Sequence, residues 1–130
     1  MTAKVTHLDP EELAYSPAFT QGVIAPAGPM LYVGGQLGTD RTGQLLDGIE
    51  AQTQQAMRNV FAVLAAGGTG PDHVVKLNIF LVEGVDAQVG YAAAQSVWGD
   101  RRTAITVVYT AAGLRPDVLV QIDAVAIIPD

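Results

Sequence analysis

Hydrophobic and polar positions change period several times along the chain, and each change marks an element. The clearest run follows Asp47. Thr53, Met57, Val60, Phe61 and Leu64 recur at helical spacing, which predicts an amphipathic helix over residues 49–66. Gly67 and Gly68 stop it, and Asp47 followed by Glu50 has the pattern of a capping box with Asp in place of Ser or Thr. The stretch "HVVKLNIFLV" (73–82) is β-branched and apolar, the signature of a buried strand. Residues 86–98 predict a second helix, weakened by Gly90. "RTAITVVYT" (102–110) and "DVLVQIDAVAIIP" (117–129) predict two more strands. Ahead of the first helix, residues 4–7 form a short edge strand. Residues 18–28 form a strand closing in a Pro-Gly turn, with residues 29–38 as its hairpin partner. Asp40 and Gly43 supply the turn chemistry that follows.

The resulting order, β-β-β-α-β-α-β-β, is that of an α+β sheet with two helices on one face. In the final strand Val118, Val120, Ile122 and Ala124 alternate with Leu119, Gln121, Asp123 and Val125, so both faces carry apolar residues. Two helices cover only one of them. Another subunit is the simplest cover for the second, which predicts a homo-oligomer. The 130 residues are expected to form a single domain, 1–130, large enough for a core without staples.

Composition narrows the chemistry. The chain has no cysteine, which excludes disulfides and thiolate metal sites. Its formal charge of -6 disfavours a phosphate-backbone partner. No apolar run approaches a membrane span, and the acidic N-terminus does not resemble a signal peptide, so a cytoplasmic protein with neither nucleic-acid nor membrane partner is expected. His7 and His73 lie far apart with no metal-ligand spacing, and no metal site is expected.

Against this acidic background, Arg101 and Arg102 are the only adjacent basic pair, and they stand at the mouth of a buried strand. As a structural residue, Arg102 would reach solvent or an internal acid. As a functional one, its planar fork suits a ligand carboxylate. Alternation puts Arg101 on the opposite side, toward solvent or a surface acid. Asp123 interrupts an apolar strand, where a carboxylate is costly unless bonded. It is either the partner of Arg101 or Arg102 or a site carboxylate that holds a water. Tyr15 reads first as a partly buried tyrosine. Gly34 and Gly35, before Gln36, mark a bulge or turn that also allows close approach of a ligand to the backbone. "GGTG" (67–70) follows a helix and lacks the phosphate-loop lysine, so it is a helix stop. Trp98 reads as a helix-end packing residue, and no serine sits in a nucleophile elbow.

The segments "YSPAF", "YVGGQLGTD", "AQTQQAMRNVFAVLAAGG", "VVKLNIFLV", "RRTAITVV" and "VLVQIDAVAI" resemble, in this order, the reactive intermediate deaminase (Rid) family from Tyr15 to Ile128. The resemblance implies a chorismate-mutase-like α+β fold of the bacillus type, assembled as a homotrimer with sites at subunit interfaces. It implies cofactor-free hydrolysis of enamines and imines, such as 2-aminoacrylate and 2-iminopropanoate, to 2-oxo acids and ammonia. The family arginine that grips the substrate carboxylate falls on Arg102, and the glutamate thought to position water falls on Asp123. The family tyrosine falls on Tyr15, and the Ser-Gly pair that shapes the pocket falls on Gly34 and Gly35.

The chain departs from that pattern in several ways. Aspartate replaces glutamate, Gly34 lacks the serine hydroxyl, and Asp100-Arg101 stands for Pro-Ala. The connection before Arg102 is short, and Gly90 stands where an asparagine is usual. These departures keep two alternatives in view. One is a non-catalytic binder or sensor of small carboxylates. The other is a pathway-specific hydrolase with a larger substrate.

Overall fold

The computed structural model describes residues 4–130. Its centre is a four-stranded sheet in the order β3-β6-β4-β5. The strands are β3 (Met30–Gln36), β4 (Val74–Val82), β5 (Ala104–Thr110) and β6 (Val120–Ile127). β6 runs antiparallel to both β3 and β4, while β4 and β5 are parallel. The parallel pair is joined by α2 (Ala87–Trp98), as a parallel connection requires. α1 (Ile49–Ala66) connects β3 to β4 through a single 3-10 turn, Pro71–His73. α1 packs on α2, β3 and β6.

The burial pattern explains this layering. Met57, Val60 and Leu64 of α1 meet Ile122, Ala124 and Ala126 of β6 in one buried cluster, with Leu77 and Leu81 of β4 and Trp98 at the end of α2. The intervening residues of β6, namely Gln121, Asp123 and Val125, point to the other face and are only half-buried. Tyr32, on that open face, is 72% exposed. Both helices therefore lie on one side of the sheet, as the pattern implied.

Element boundaries follow local chemistry. α1 spans the predicted residues and ends at Gly67, with Gly68 at φ 80 providing the left-handed turn. The hydroxyl of Thr69 then donates to the carbonyl of Ile127 at 2.7 Å, tying the helix end to β6. The start of α1 corrects the capping reading. Its N-cap is Gly48, at φ 88, and no side chain caps the helix. Asp47 precedes that residue, and the left-handed glycine sets the turn in its place. In α2 the cap is a side chain, since Asp86 accepts from the backbone N–H of Gln88 at 2.9 Å.

The predicted hairpin between residues 18–28 and 29–38 is not formed. β2 (Gly22–Ile24) pairs with β1 (Thr6–Leu8) in a separate two-stranded ribbon. β3 pairs instead with β6. The physical reason is burial. Leu31 and Val33 of β3 belong on the helix-covered core, whereas Ile24 is exposed and β1 is exposed throughout. The ribbon is joined to the main sheet beside β5, where Thr20 bridges Ala104 and its N–H donates to the carbonyl of Thr103 at 2.9 Å.

Candidate functional site

Arg102 lies just before β5 and is held by the chain segment ahead of β2. Its Nη1 and Nη2 donate to the two carboxylate oxygens of Asp9 at 3.0 Å each. Nη2 also donates to the carbonyls of Ser16 at 2.8 Å and Phe19 at 2.7 Å. The Tyr15 ring lies 4.6 Å from the guanidinium carbon, a cation–π distance. Tyr15 is itself 67% exposed, so it forms an outer wall rather than the partly buried residue expected. The hydrogen bonds from Arg102 hold the carboxyl of Asp9 below the usual carboxylate range. The Arg102 guanidinium is pushed up by the same pair.

Arg101 points elsewhere, as alternation requires. Its Nε donates to Asp72 at 2.8 Å, and its Nη1 to the carbonyl of Trp98 at 2.6 Å. It also lies near the rings of Phe61 and Trp98. Trp98 is buried and donates from its indole nitrogen to the carbonyl of Arg101 at 2.9 Å. The two arginines thus open in different directions from one short connection. Beside that connection, between α2, β5 and the segment carrying Tyr15, lies a mostly apolar cavity of about 520 Å³. Phe19, Leu77, Trp98 and Ile105 line it, and both Arg101 and Arg102 border it.

The other candidates gather at the opposite edge of the sheet. The ladder between β3 and β6 is interrupted between Val33 and Gln36, so Gly34 and Gly35 form a bulge. A Cβ on Gly34 would meet nothing, whereas one on Gly35 would run into the amide of Gln121. Gln121 is the residue that sequence reasoning passed over. It shares a face with Asp123, and the signal was its spacing of two along β6. Gln121 also borders a cleft of about 190 Å³ lined by Phe80, Leu114 and Val120. Asn59 of α1 steadies the loop after the bulge, donating to the carbonyls of Leu37 at 3.0 Å and Thr39 at 2.9 Å.

Asp123 does not reach either arginine. It accepts from the side-chain amide of Asn78 at 2.8 Å, across the β4–β6 ladder. Its row continues to Thr106 in β5, while Arg102 precedes the start of that strand. Ordinary strand spacings then separate Asp123 from Arg102 by roughly 16 Å between Cα atoms, and Gly35 from Arg102 by roughly 21 Å. One protomer therefore brings Tyr15 and Arg102 together, and groups Gly34, Gly35, Gln121 and Asp123 apart from them.

Among the described residues, no cluster of His, Cys, Asp or Glu is placed to hold a metal ion. Among the same residues, no helix is long and apolar enough to cross a membrane.

Comparison with known proteins bears on this arrangement. The family model described as Endoribonuclease L-PSP matches residues 10–128. Protein DfrA of Myxococcus xanthus is 36% identical over 101 residues, covering 76% of this chain and 73% of that protein. A RutC family protein of Synechocystis is 34% identical over 121 residues, covering 81% of this chain and 90% of the relative. The crystal structure of YyfB, a Rid-family protein of unknown function from Yersinia pestis, superposes with a TM-score of 0.84 at 27% identity. That superposition covers 95% of this chain and 98% of the other.

Proposed function

The chain belongs to the Rid family, and on that premise we propose that it hydrolyses small 2-imino acids, of the 2-aminoacrylate and 2-iminopropanoate type, to 2-oxo acids and ammonia without a cofactor. The observation that carries this reading is the planar fork of Arg102, held at the border of a cavity and already gripping a carboxylate end-on, that of Asp9. A ligand carboxylate fits the same geometry.

The second half of the site comes from another copy. Arg102 and the Gly34–Gly35 bulge lie at opposite edges of the sheet. A cyclic head-to-tail assembly sets one edge of each protomer beside the opposite edge of its neighbour. In a homotrimer of this kind Arg102 of one copy faces the bulge and the β6 polar row of the next. The same assembly covers the open sheet face that the helices leave bare.

In this arrangement Arg102 neutralises and orients the substrate carboxylate, with Tyr15 against the guanidinium. Gly34, open on its side-chain side, lets the substrate approach the backbone, while Gly35 makes room for Gln121. Asp123 orients a water toward the carbon of the protonated C=N bond. Water oxygen bonds to that carbon, the C=N π electrons move to nitrogen, and a proton passes from the water to solvent. The carbinolamine then collapses, forming the 2-oxo group and releasing ammonia. Protonated imines are already electrophilic, so positioning and charge complementarity do most of the work. Asn78 fixes the orientation of Asp123 in this role.

An RNA substrate is disfavoured. The chain carries a net charge of -6, and its one adjacent basic pair is engaged with Asp72 and Asp9. The deciding experiment is ammonia release from freshly generated 2-iminopropanoate. Release well above the spontaneous rate, lost in Arg102→Ala, supports the reading. A spontaneous rate despite measurable 2-oxobutanoate binding leaves a carboxylate-binding protein instead.

A further inference from the structure

The grip of Arg102 on Asp9 has consequences for any ligand of that arginine. The terminal edge of the guanidinium is filled by both oxygens of a carboxylate. Its Nη2 is further engaged by the carbonyls of Ser16 and Phe19, so the side edge is not free for a second bidentate contact. The remaining Nε is buried without a partner. A ligand carboxylate therefore cannot make a bidentate pair with Arg102 while Asp9 stays in place.

Asp9 is also the most easily released of these partners. It directly follows β1, a strand of three exposed residues that pairs only with β2. The residues after it, Glu11 to Leu13, are exposed, and they are turned by one hydrogen bond from the N–H of Leu13 to the carbonyl of Pro10. Ser16 and Phe19, by contrast, lead into the bridge between Thr20 and Ala104 that fixes the segment to β5.

We propose that Asp9 is a built-in competitor for the Arg102 fork: it occupies the carboxylate position in the free protein and swings out, with residues 9–13, when an anionic ligand binds. The proposal rests on the reading of Arg102 as the ligand clamp. Its consequence is selectivity. An uncharged molecule of similar shape has nothing to offer Arg102 in exchange for Asp9, so only carboxylates gain the site. Affinity is set by the fraction of molecules in which Asp9 is undocked, because the apparent dissociation constant is the intrinsic one divided by that fraction.

The test is calorimetric titration of 2-oxobutanoate into the full chain, comparing wild type with Asp9→Asn, Asp72→Asn and Arg102→Ala. Asp9→Asn keeps the shape and removes the competing charge, and binding is expected to tighten about threefold to thirtyfold. Asp72→Asn removes the partner of Arg101 and should leave binding as in wild type. Arg102→Ala should lose it. Equal or weaker binding by Asp9→Asn, with Arg102→Ala still defective, overturns the competitor and leaves the clamp standing. Unchanged binding by Arg102→Ala overturns the clamp and the competitor together. Hydrogen exchange on the unmutated protein gives a readout independent of the folding of any variant. Saturating 2-oxobutanoate should speed exchange of the Leu13 amide, which donates to the Pro10 carbonyl, and unchanged protection there contradicts release of Asp9.

Discussion

Asn78 and Asp123 face each other across the β4–β6 ladder, and the amide of Asn78 donates to the Asp123 carboxylate at 2.8 Å. A carboxylate in the middle of the sheet thus has a neutral partner rather than an arginine. Asp123→Asn preserves an acceptor for Asn78 and removes only the charge. The variant should fold and assemble, with stability within about 1 kcal/mol of wild type. If Asp123 orients the attacking water, imine hydrolysis should fall by at least about tenfold while 2-oxobutanoate binding stays within about threefold. A hydrolysis rate equal to that of wild type would reduce Asp123 to a structural residue.

Arg101 is engaged by groups of the fold. It pairs with Asp72 and the carbonyl of Trp98, and its side chain is one-third exposed. Arg101→Ala should cost no more than about 1 kcal/mol in chemical denaturation, the range of exposed ion pairs. Its affinity for 2-oxobutanoate should stay within about threefold of wild type. A loss as large as that of Arg102→Ala would show that the roles of the two neighbours are exchanged.

The long elements were legible because their periodicity was strong. Both helices and the strands β4, β5 and β6 lie where apolar spacing puts them, within a residue or three at the ends. The pairing of β3 was not legible in the same way. The Pro-Gly turn at 26–29 is real punctuation, but turn residues do not say which strand pairs with which. That choice was made by burial of Leu31 and Val33 against α1 and β6, a non-local effect. At the site, Arg102 stands out by its place before an apolar strand and Tyr15 only through the family resemblance, and neither signal implies the contact between them. Asp9 does not stand out, because its partner lies 93 residues away and an acid beside a helix-like "PEE" looks like solvated surface. Gln121 was missed for want of a charge.

Gln52 was also illegible, since a glutamine in a helical pattern reads as surface. It is 2% exposed. Its amide nitrogen donates to the carbonyl of Asp117 and its amide oxygen accepts from the N–H of Leu119, both at 2.9 Å. It thereby fixes the start of β6 to α1. Gln52→Ala leaves two backbone groups unpaired in a buried place and should cost about 2–5 kcal/mol, read as a lower denaturation midpoint at unchanged slope. A change under about 0.5 kcal/mol would mean water replaces both contacts.

The Asp9–Arg102 pair also predicts a pH dependence of stability. Hydrogen bonds from Arg102 depress the Asp9 carboxyl on folding. A depressed carboxyl contributes its stability in full above the unfolded-state value and loses it as pH falls through the folded-state value. The stability difference between wild type and Asp9→Asn should therefore be constant near neutrality. It should shrink below about pH 4 and vanish once Asp9 is protonated in both states. Denaturation of both proteins from pH 7 to pH 2 checks this. A difference that persists at the acid end would assign the effect to shape rather than charge.

The last prediction concerns assembly. The open face of the sheet presents Tyr32, Val108 and Val125, and among the described residues no helix covers that face. Burial of that face by two further copies makes a particle of three 13.6-kDa chains, the mass that light scattering at micromolar concentration should return. Val108→Arg puts a charge on that face without touching the helix-covered core, so it should give a folded monomer. Arg102, Tyr15, Gly35 and Asp123 are all intact in that variant. If Arg102 and the bulge act together only across a subunit boundary, the monomer should nonetheless lose imine hydrolysis, because within one chain they stand roughly 21 Å apart. A monomer that hydrolyses imines like wild type would place the whole site in a single chain. A wild-type protein that is itself monomeric would remove the shared site from the outset.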